Sequence, residues 1–362
     1  MSTLLKDRYS HEYVQAVGQS ISAIHTPFDQ VGFNQSVFSS DWPTLELKQR
    51  MRRISTRLHQ FLPMSYRRQL KILTQVAPKF GGLEGMFLPD FVEQFGLEQV
   101  EDSLQALERF TQFSSSEFAI RPFLLQHPKQ TLERLVQWAT HPNEHVRRLA
   151  SEGCRPRLPW AMALPEFKRN PSPILPILEQ LKADSSDYVR RSVANNLNDI
   201  AKDHPELVLE LGKTWLGKNP QTDALIKHAC RTLLKRGNGH AMALFGFDQL
   251  LDASVTRLQC DPRTIPLGSI LQFSFQVQVN GTKPATTRLE YAVDFVKANG
   301  STRRKVFYLC QSTFAPKEIK SFDRKHRFTD FTTRKHYPGR HTLTILVNGV
   351  AKAKTHVELL RS

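Results

Sequence analysis

The chain of 362 residues carries 50 Lys and Arg against 34 Asp and Glu, a formal net charge of +16, and is 40% hydrophobic and 23% charged. This composition excludes wholesale disorder, and no apolar run reaches the ~18 residues of a membrane span. The length accommodates two domains, or one large domain with an accessory module, and a core that needs no staples.

The basic charge is unevenly spread. Residues 251–362 hold 19 Lys and Arg against 8 Asp and Glu, so +11 of the net +16 lies there. Each Lys or Arg that neutralises a phosphate releases condensed counterions, so such a protein attracts polyanions. Charge by itself leaves nucleic acid, an anionic membrane surface and plain solubility open. The first residues, Met1 to Arg8, meet charge before a signal-peptide core could form, and a cytoplasmic location is expected. Cys154, Cys230, Cys260 and Cys310 form no CxxC pair and have no His at zinc spacing, so no metal is expected. Cys260 and Cys310 could staple a sandwich, but free thiols of a reducing compartment are the expectation.

Up to about residue 245 apolar residues recur at three- and four-residue spacing, as in Leu47, Met51, Ile54, Leu58 and Phe61, which predicts helices. Breaks are marked by Pro63, Pro78, Gly81-Gly82, Pro142, Pro171, Pro205, Gly217 and Pro220. Within this region His145-Val146-Arg147-Arg148-Leu149-Ala150 is echoed 43 residues later by Tyr188-Val189-Arg190-Arg191-Ser192-Val193. A weaker third copy, Leu225-Ile226-Lys227-His228-Ala229-Cys230, follows 37 further on. Each copy follows a polar turn. Periods of about 40 residues are those of HEAT-like helical pairs, which bury their apolar faces by stacking into a curved solenoid. Stacking sets Arg147/Arg148, Arg190/Arg191 and Lys227/His228 in neighbouring ranks. Such arginines can form inter-repeat salt bridges, and a row of cations also matches a nucleic-acid backbone. Both readings stand for each residue.

Directly after the first copy comes Ser151-Glu152-Gly153-Cys154-Arg155-Pro156-Arg157-Leu158-Pro159-Trp160, which the second repeat lacks. Its prolines and glycine break the helix and set a carboxylate, two guanidinium groups and an indole on one short loop. Loops held by a rigid scaffold are common functional sites. The competing reading makes Trp160 a plug between repeats.

After Gly246 the period becomes two. Leu271–Val279 alternates strictly and ends in Asn280-Gly281, and further strands are expected at Leu289–Val296, Arg304–Cys310, Glu318–Phe322 and His341–Val347. Asn299-Gly300 and Asn348-Gly349 are tight-turn signals. About seven short strands predict an immunoglobulin-like sandwich. Tyr337-x-Gly339 resembles the approach to a tyrosine corner, although a core Trp is missing. Basic clusters fall at Arg303-Arg304-Lys305, Arg324-Lys325-His326-Arg327 and Arg334-Lys335-His336, mostly at or between strand ends, where loops would present them. The expected architecture is an α-helical HEAT-like repeat solenoid, residues 1–245, followed by an all-β immunoglobulin-like sandwich, residues 251–362.

The helical region resembles the DNA alkylation-repair glycosylases built from HEAT-like repeats, and more closely their AlkC branch. The resemblance rests on the segment from Ser151 to Trp160 and on Asn195-Asn196-Leu197-Asn198-Asp199-Ile200. Supporting matches are Glu46-Leu47-Lys48-Gln49-Arg50-Met51-Arg52-Arg53-Ile54 and Ser116-Glu117-Phe118-Ala119-Ile120-Arg121-Pro122-Phe123. It covers nearly all of residues 1–245, and some members of the branch carry a C-terminal immunoglobulin-like domain. The chain departs from the AlkD branch, where an aspartate serves in place of Glu152.

This resemblance implies a monofunctional DNA N-glycosylase of base excision repair for cationic bases such as N3-methyladenine and N3-methylcytosine. It also implies action without a cofactor and without full base flipping. A cationic base leaves without protonation, while the deoxyribose develops oxocarbenium character that a carboxylate can stabilise as it orients water. Glu152 would be that carboxylate, with Glu117 as a second, Trp160 against the sugar, and Asp199 joining from the next repeat. Asp199 also fits a plain helix-end capping arrangement. Arg148, Arg155, Arg157, Arg190 and Arg191 would grip phosphates, with Lys227 and Arg231 extending the row. The sandwich would add a second grip through Arg303, Arg304, Lys305, Arg324, Lys325, Arg334 and Lys335. The implied partner is double-stranded DNA bearing alkylated bases, met by a monomer that is nucleoid-associated when bound, with no membrane. The competing class is a non-catalytic HEAT scaffold that binds nucleic acid or protein, from which the carboxylate–indole loop distinguishes an enzyme. An RNA-binding reading lacks aromatic stacking motifs, and hydrolase elbows and phosphate loops have no matching pattern.

Overall fold

A computed structural model describes residues 4–330 and 335–361. Its helices run α1 His11–Ser22, α2 Gln30–Val37, α3 Leu47–Phe61, α4 Tyr66–Val76, α5 Phe87–Phe95 and α6 Val100–Thr111. Then come α7 Ile120–Gln126, α8 Pro128–Trp138, α9 Glu144–Gly153, α10 Pro165–Arg169 and α11 Leu175–Leu181. The last are α12 Asp187–Ile200, α13 Pro205–Trp215, α14 Pro220–Ala229, α15 Arg231–Lys235 and α16 Gly239–Leu244. Eight strands follow: β1 Ala253–Asp261, β2 Thr264–Pro266, β3 Ile270–Val279, β4 Ala285–Val296, β5 Thr302–Phe314, β6 Ile319–Arg327, β7 Gly339–Val347 and β8 Val350–Leu360. Two compact units result, residues 1–203 with 217–229, and residues 204–216 with 230–362.

In the first unit the three-and-four spacing becomes buried helix faces. On α3, Met51, Ile54 and Leu58 are buried and the start is closed by a capping box between Glu46 and Gln49. On α9 the Asn143 side chain caps the first turn by accepting from the His145 amide. Helix α9 packs on α8 and α12, and α12 packs on α14. The three sequence copies are therefore consecutive ranks of one helical stack. Gly153, at the end of α9, lets that helix approach α7: a Cβ there would lie 2.5 Å from Ile120 Cγ2.

The second unit is a sandwich of two sheets, ordered β1-β3-β6 and β2-β8-β7-β4-β5. Alternation on β3 buries Leu271, Phe273, Phe275, Val277 and Val279 against Tyr291, Val293, Leu343, Ile345 and Val357. Strand β8 has little apolar signal because Lys352, Lys354 and Thr355 interrupt it, and it is fixed by pairing along β7. Strand β4 lacks alternation because both of its faces are covered, which buries the Arg288–Glu290 ion pair (2.7 Å). The helices after Ala229 belong to this unit: α15 meets β5, and Gln249 donates to the carbonyls of Gly237 and Asn348. At the start of β7, His341 Nε2 donates to the Tyr337 carbonyl at 3.0 Å. Its Nδ1 then faces the Val296 amide, which fixes the tautomer. All four cysteines are free. Among the described residues no helix is long and apolar enough to cross a membrane.

Candidate active site

Helix α9 cannot continue past Gly153, because Pro156 and Pro159 lack the amides a further turn would need. The chain instead turns through Cys154 to Leu164, closed by the Leu164 amide on the Pro156 carbonyl at 3.1 Å. Asn196 of α12 supports the turn, donating to the Ser151 carbonyl at 2.8 Å and to Cys154 Sγ at 3.3 Å. At its tip stands Trp160, 67% exposed, with a left-handed backbone (φ 62°).

Beside this loop, acids and bases alternate in a row. Glu117 Oε2 accepts from Arg148 and from Ser115 Oγ, the latter at 2.9 Å. Arg148 Nη2 lies 3.5 Å from Glu152 Oε1, and Arg155 Nη1 donates to that same oxygen at 2.5 Å. Arg155 Nε donates to Asp199 Oδ2 at 2.9 Å, and Lys202 Nζ reaches Asp199 Oδ1 at 2.8 Å. Burial disfavours the charged guanidinium of both arginines, but the Glu152 carboxylate, helped by Glu117 for Arg148 and by Asp199 for Arg155, outweighs it and holds both above their usual range. Glu152 is 5% exposed, and the closest contact of each guanidinium falls on Oε1. Among the described residues Oε2 accepts no hydrogen bond, yet it is not enclosed as Glu290 Oε2 is. A carboxylate held by one oxygen keeps the other for a cation or a water.

Several residues expected to meet phosphate have other work. Arg155 is 7% exposed and its head lies between two carboxylates, so it orients acids instead of reaching for DNA. Arg148 is committed to Glu117 and Glu152, with the Tyr188 ring 5.1 Å from its guanidinium. Arg147 donates to the His141 and Pro142 carbonyls and pairs with Asp184 at 2.6 Å. Arg190 does the same one rank on, donating to the Asp184 and Ser185 carbonyls. These first arginines of each pair are repeat staples. Arg157 pairs with Asp203 at 2.6 Å while staying partly exposed. Arg191 is the outward one, its side chain 74% exposed and touching Asp187. Lys227, on α14, and Arg231, opening α15, are half-buried and hold interactions of their own. Asp199 is 1% exposed with both oxygens engaged, and its link to Glu152 runs through Arg155.

In the sandwich the cations fall into two groups. Arg303, Arg304 and Lys305 open β5 and share a cavity of about 570 Å³ with Lys297, Lys335 and Tyr337, with no acid in its lining among the described residues. Arg324 and Lys325 lie within β6 instead of at a loop, in a groove that also holds Asp261 and Asp323. Arg334 lies outside the described residues.

Three side chains without an expected role also meet the site. Arg121 of α7 is fully buried and donates to the Gly153, Arg155 and Met162 carbonyls. Lys48 of α3 donates to the Trp160 carbonyl. Tyr188 stands over Arg148. Spacing offers no signal for the first two, since their partners lie 32–41 and 112 residues away. Among the described residues no cluster of three or more His, Cys, Asp or Glu could hold a metal ion.

A family model described as "DNA alkylation repair enzyme" matches residues 96–233. Another, described as "Uncharacterised protein YhaZ, C-terminal Ig-like domain", matches residues 254–361. The chain is 47% identical to YhaZ of Bacillus subtilis (strain 168) over 348 residues, covering 96% of this chain and 97% of that one. It is 40% identical to Pseudomonas fluorescens alkylpurine DNA glycosylase AlkC, solved bound to DNA containing an abasic site analog. That structure superposes with a TM-score of 0.96, covering 99% of this chain and 100% of the other.

Proposed function

The chain belongs to the family of DNA alkylation repair enzymes that contains AlkC and YhaZ, and from that premise we propose that it is a monofunctional glycosylase releasing cationic bases, N3-methyladenine and N3-methylcytosine, from duplex DNA. The observation that supports this reading most is Glu152, whose Oε1 is held by two guanidinium groups while Oε2 accepts no hydrogen bond among the described residues. A base carrying a positive charge departs with the electrons of its N-glycosyl bond and becomes neutral, so no acid is required. The charge passes to the sugar as an oxocarbenium ion. Glu152 stabilises it, and when water adds to the anomeric carbon Glu152 accepts the proton. Trp160 offers its electron-rich face to the same developing cation. Glu117 holds Arg148, and Asp199 holds Arg155, so that both guanidinium groups fix Glu152 in place. Because Glu152 acts on the sugar, the base need not leave the duplex stack.

Arg157, Arg191, Lys227, Arg231 and the basic cavity of the sandwich supply phosphate contacts in this account. The experiment is direct: duplex DNA methylated at known positions is incubated with the protein and the free bases are counted. Release of N3-methyladenine and N3-methylcytosine with intact strands at the resulting abasic sites is expected. Strand cleavage without free base, or no release, would refute the proposal.

A further inference from the structure

Trp160 is a bulky residue with a left-handed backbone (φ 62°), a conformation such a side chain keeps only when its surroundings impose it. Its indole is 67% exposed, so packing of the ring does not impose it. Backbone contacts do. Lys48 donates to the Trp160 carbonyl, and Arg121 Nε donates to the Met162 carbonyl at 2.7 Å. Arg121 Nη1 then reaches back to Gly153 at 2.9 Å and Arg155 at 2.8 Å. Two cations from two earlier helices thus hold four carbonyls of one loop. No carboxylate forms an ion pair with Arg121 among the described residues, and burial lowers its pKa to about 10. A charge placed there against its solvation serves geometry.

Lys48 also joins the two walls of the site. Its Nζ sits 4.1 Å from the centroid of the Phe118 ring, next in sequence to Glu117, which binds Arg148 and through it Glu152. We propose that Lys48, backed by Arg121, is a positioning residue that locks the Trp160 turn against the Glu117–Phe118 segment before DNA arrives, so that the indole and the Glu152 carboxylate meet the sugar at fixed places. This rests on the glycosylase reading above. The alternative use of Lys48, as a phosphate ligand in the groove of about 490 Å³ that it lines with Arg52, Arg53 and Arg57, is weaker. Arg52 is already paired with Asp90 and Glu93, and Arg53 with Asp41, so the groove is largely compensated.

Lys48→Met is the test, since Arg121 is buried enough that its variants could fail to fold. Single-turnover excision at saturating DNA should fall roughly 10- to 100-fold, as for a misplaced reacting group. Affinity for undamaged duplex and its salt dependence should hold, and Lys48→Arg should recover most of the rate. In the free protein, acrylamide quenching of Trp160, isolated by difference against Trp160→Phe, should change in Lys48→Met. An unchanged rate with unchanged quenching would overturn the proposal. So would a loss confined to affinity with a shallower salt slope, which would mark a phosphate ligand. If the wild type releases no base, the glycosylase reading fails, while the quenching comparison still decides whether Lys48 holds the turn.

Discussion

Helices α9 and α12 begin alike. Arg147 and Arg190, 43 residues apart, both turn back to the carbonyls of the preceding turn. From the next residue onward they diverge. Arg148 faces inward to Glu117 and Glu152, whereas its counterpart Arg191 points to solvent. At the position of Glu152 the second rank has Asn195, and where α9 stops at Gly153 helix α12 runs on to Ile200. That extra length brings Asp199 back to support Arg155. The repeated part supplies a stiff frame, and the candidate chemistry sits where one rank departs from the pattern.

Neutralising the departing position should have the largest effect. Glu152→Gln should lower single-turnover excision by at least ~100-fold with duplex binding retained, as expected when one electrostatic stabiliser is lost. The matched change Asn195→Ala should leave the rate within about threefold. Equal losses would mean that the two ranks do not differ in task. Next in size, Trp160→Ala should cost roughly 5- to 30-fold in rate, the range of one cation–π contact, read against unchanged circular dichroism.

Smaller effects separate cations whose cavity has no acid in its lining among the described residues from cations that share a groove with acids. Replacing Arg303, Arg304 and Lys305 together by Ser should flatten the dependence of log affinity on log salt by about 1–3 units. Arg324→Ser should move it less, because Asp261 and Asp323 share its groove. An equal shift would show that acids in the same groove do not govern DNA contact. Arg147→Ala should leave the excision rate of the folded protein nearly untouched while lowering unfolding free energy in urea by about 1–3 kcal/mol, since it removes the guanidinium from Asp184 and the donor from two carbonyls.

The repeat is legible in the sequence because its signals are local: a polar turn, an apolar spacing and a basic pair recurring at a regular interval. The break after α9 is legible too, because prolines cannot extend a helix. The inward turn of Arg148 and Arg155 has a local signal, since both lie at ion-pair spacing from Glu152, three and four residues away. A reading that weighs the arginines only against phosphate passes over it. The Arg155–Asp199 contact and the clamps from Lys48 and Arg121 have no such signal, because only the fold brings those partners together. In the sandwich, β3 announces itself by strict alternation, whereas β8 hides because Val357 and Leu359 alone among its residues are buried.

If the Glu152 carboxylate meets a sugar becoming positive, a bound analogue reports this without turnover. Affinities of wild type and Glu152→Gln are to be compared for duplexes carrying a cationic pyrrolidine or a neutral tetrahydrofuran at the abasic position. The wild type should prefer the cationic duplex by about 10-fold or more, in line with a charge-assisted contact, and the variant should lose that preference while binding the neutral duplex as before. A preference for the cationic analogue that survives Glu152→Gln would contradict the account.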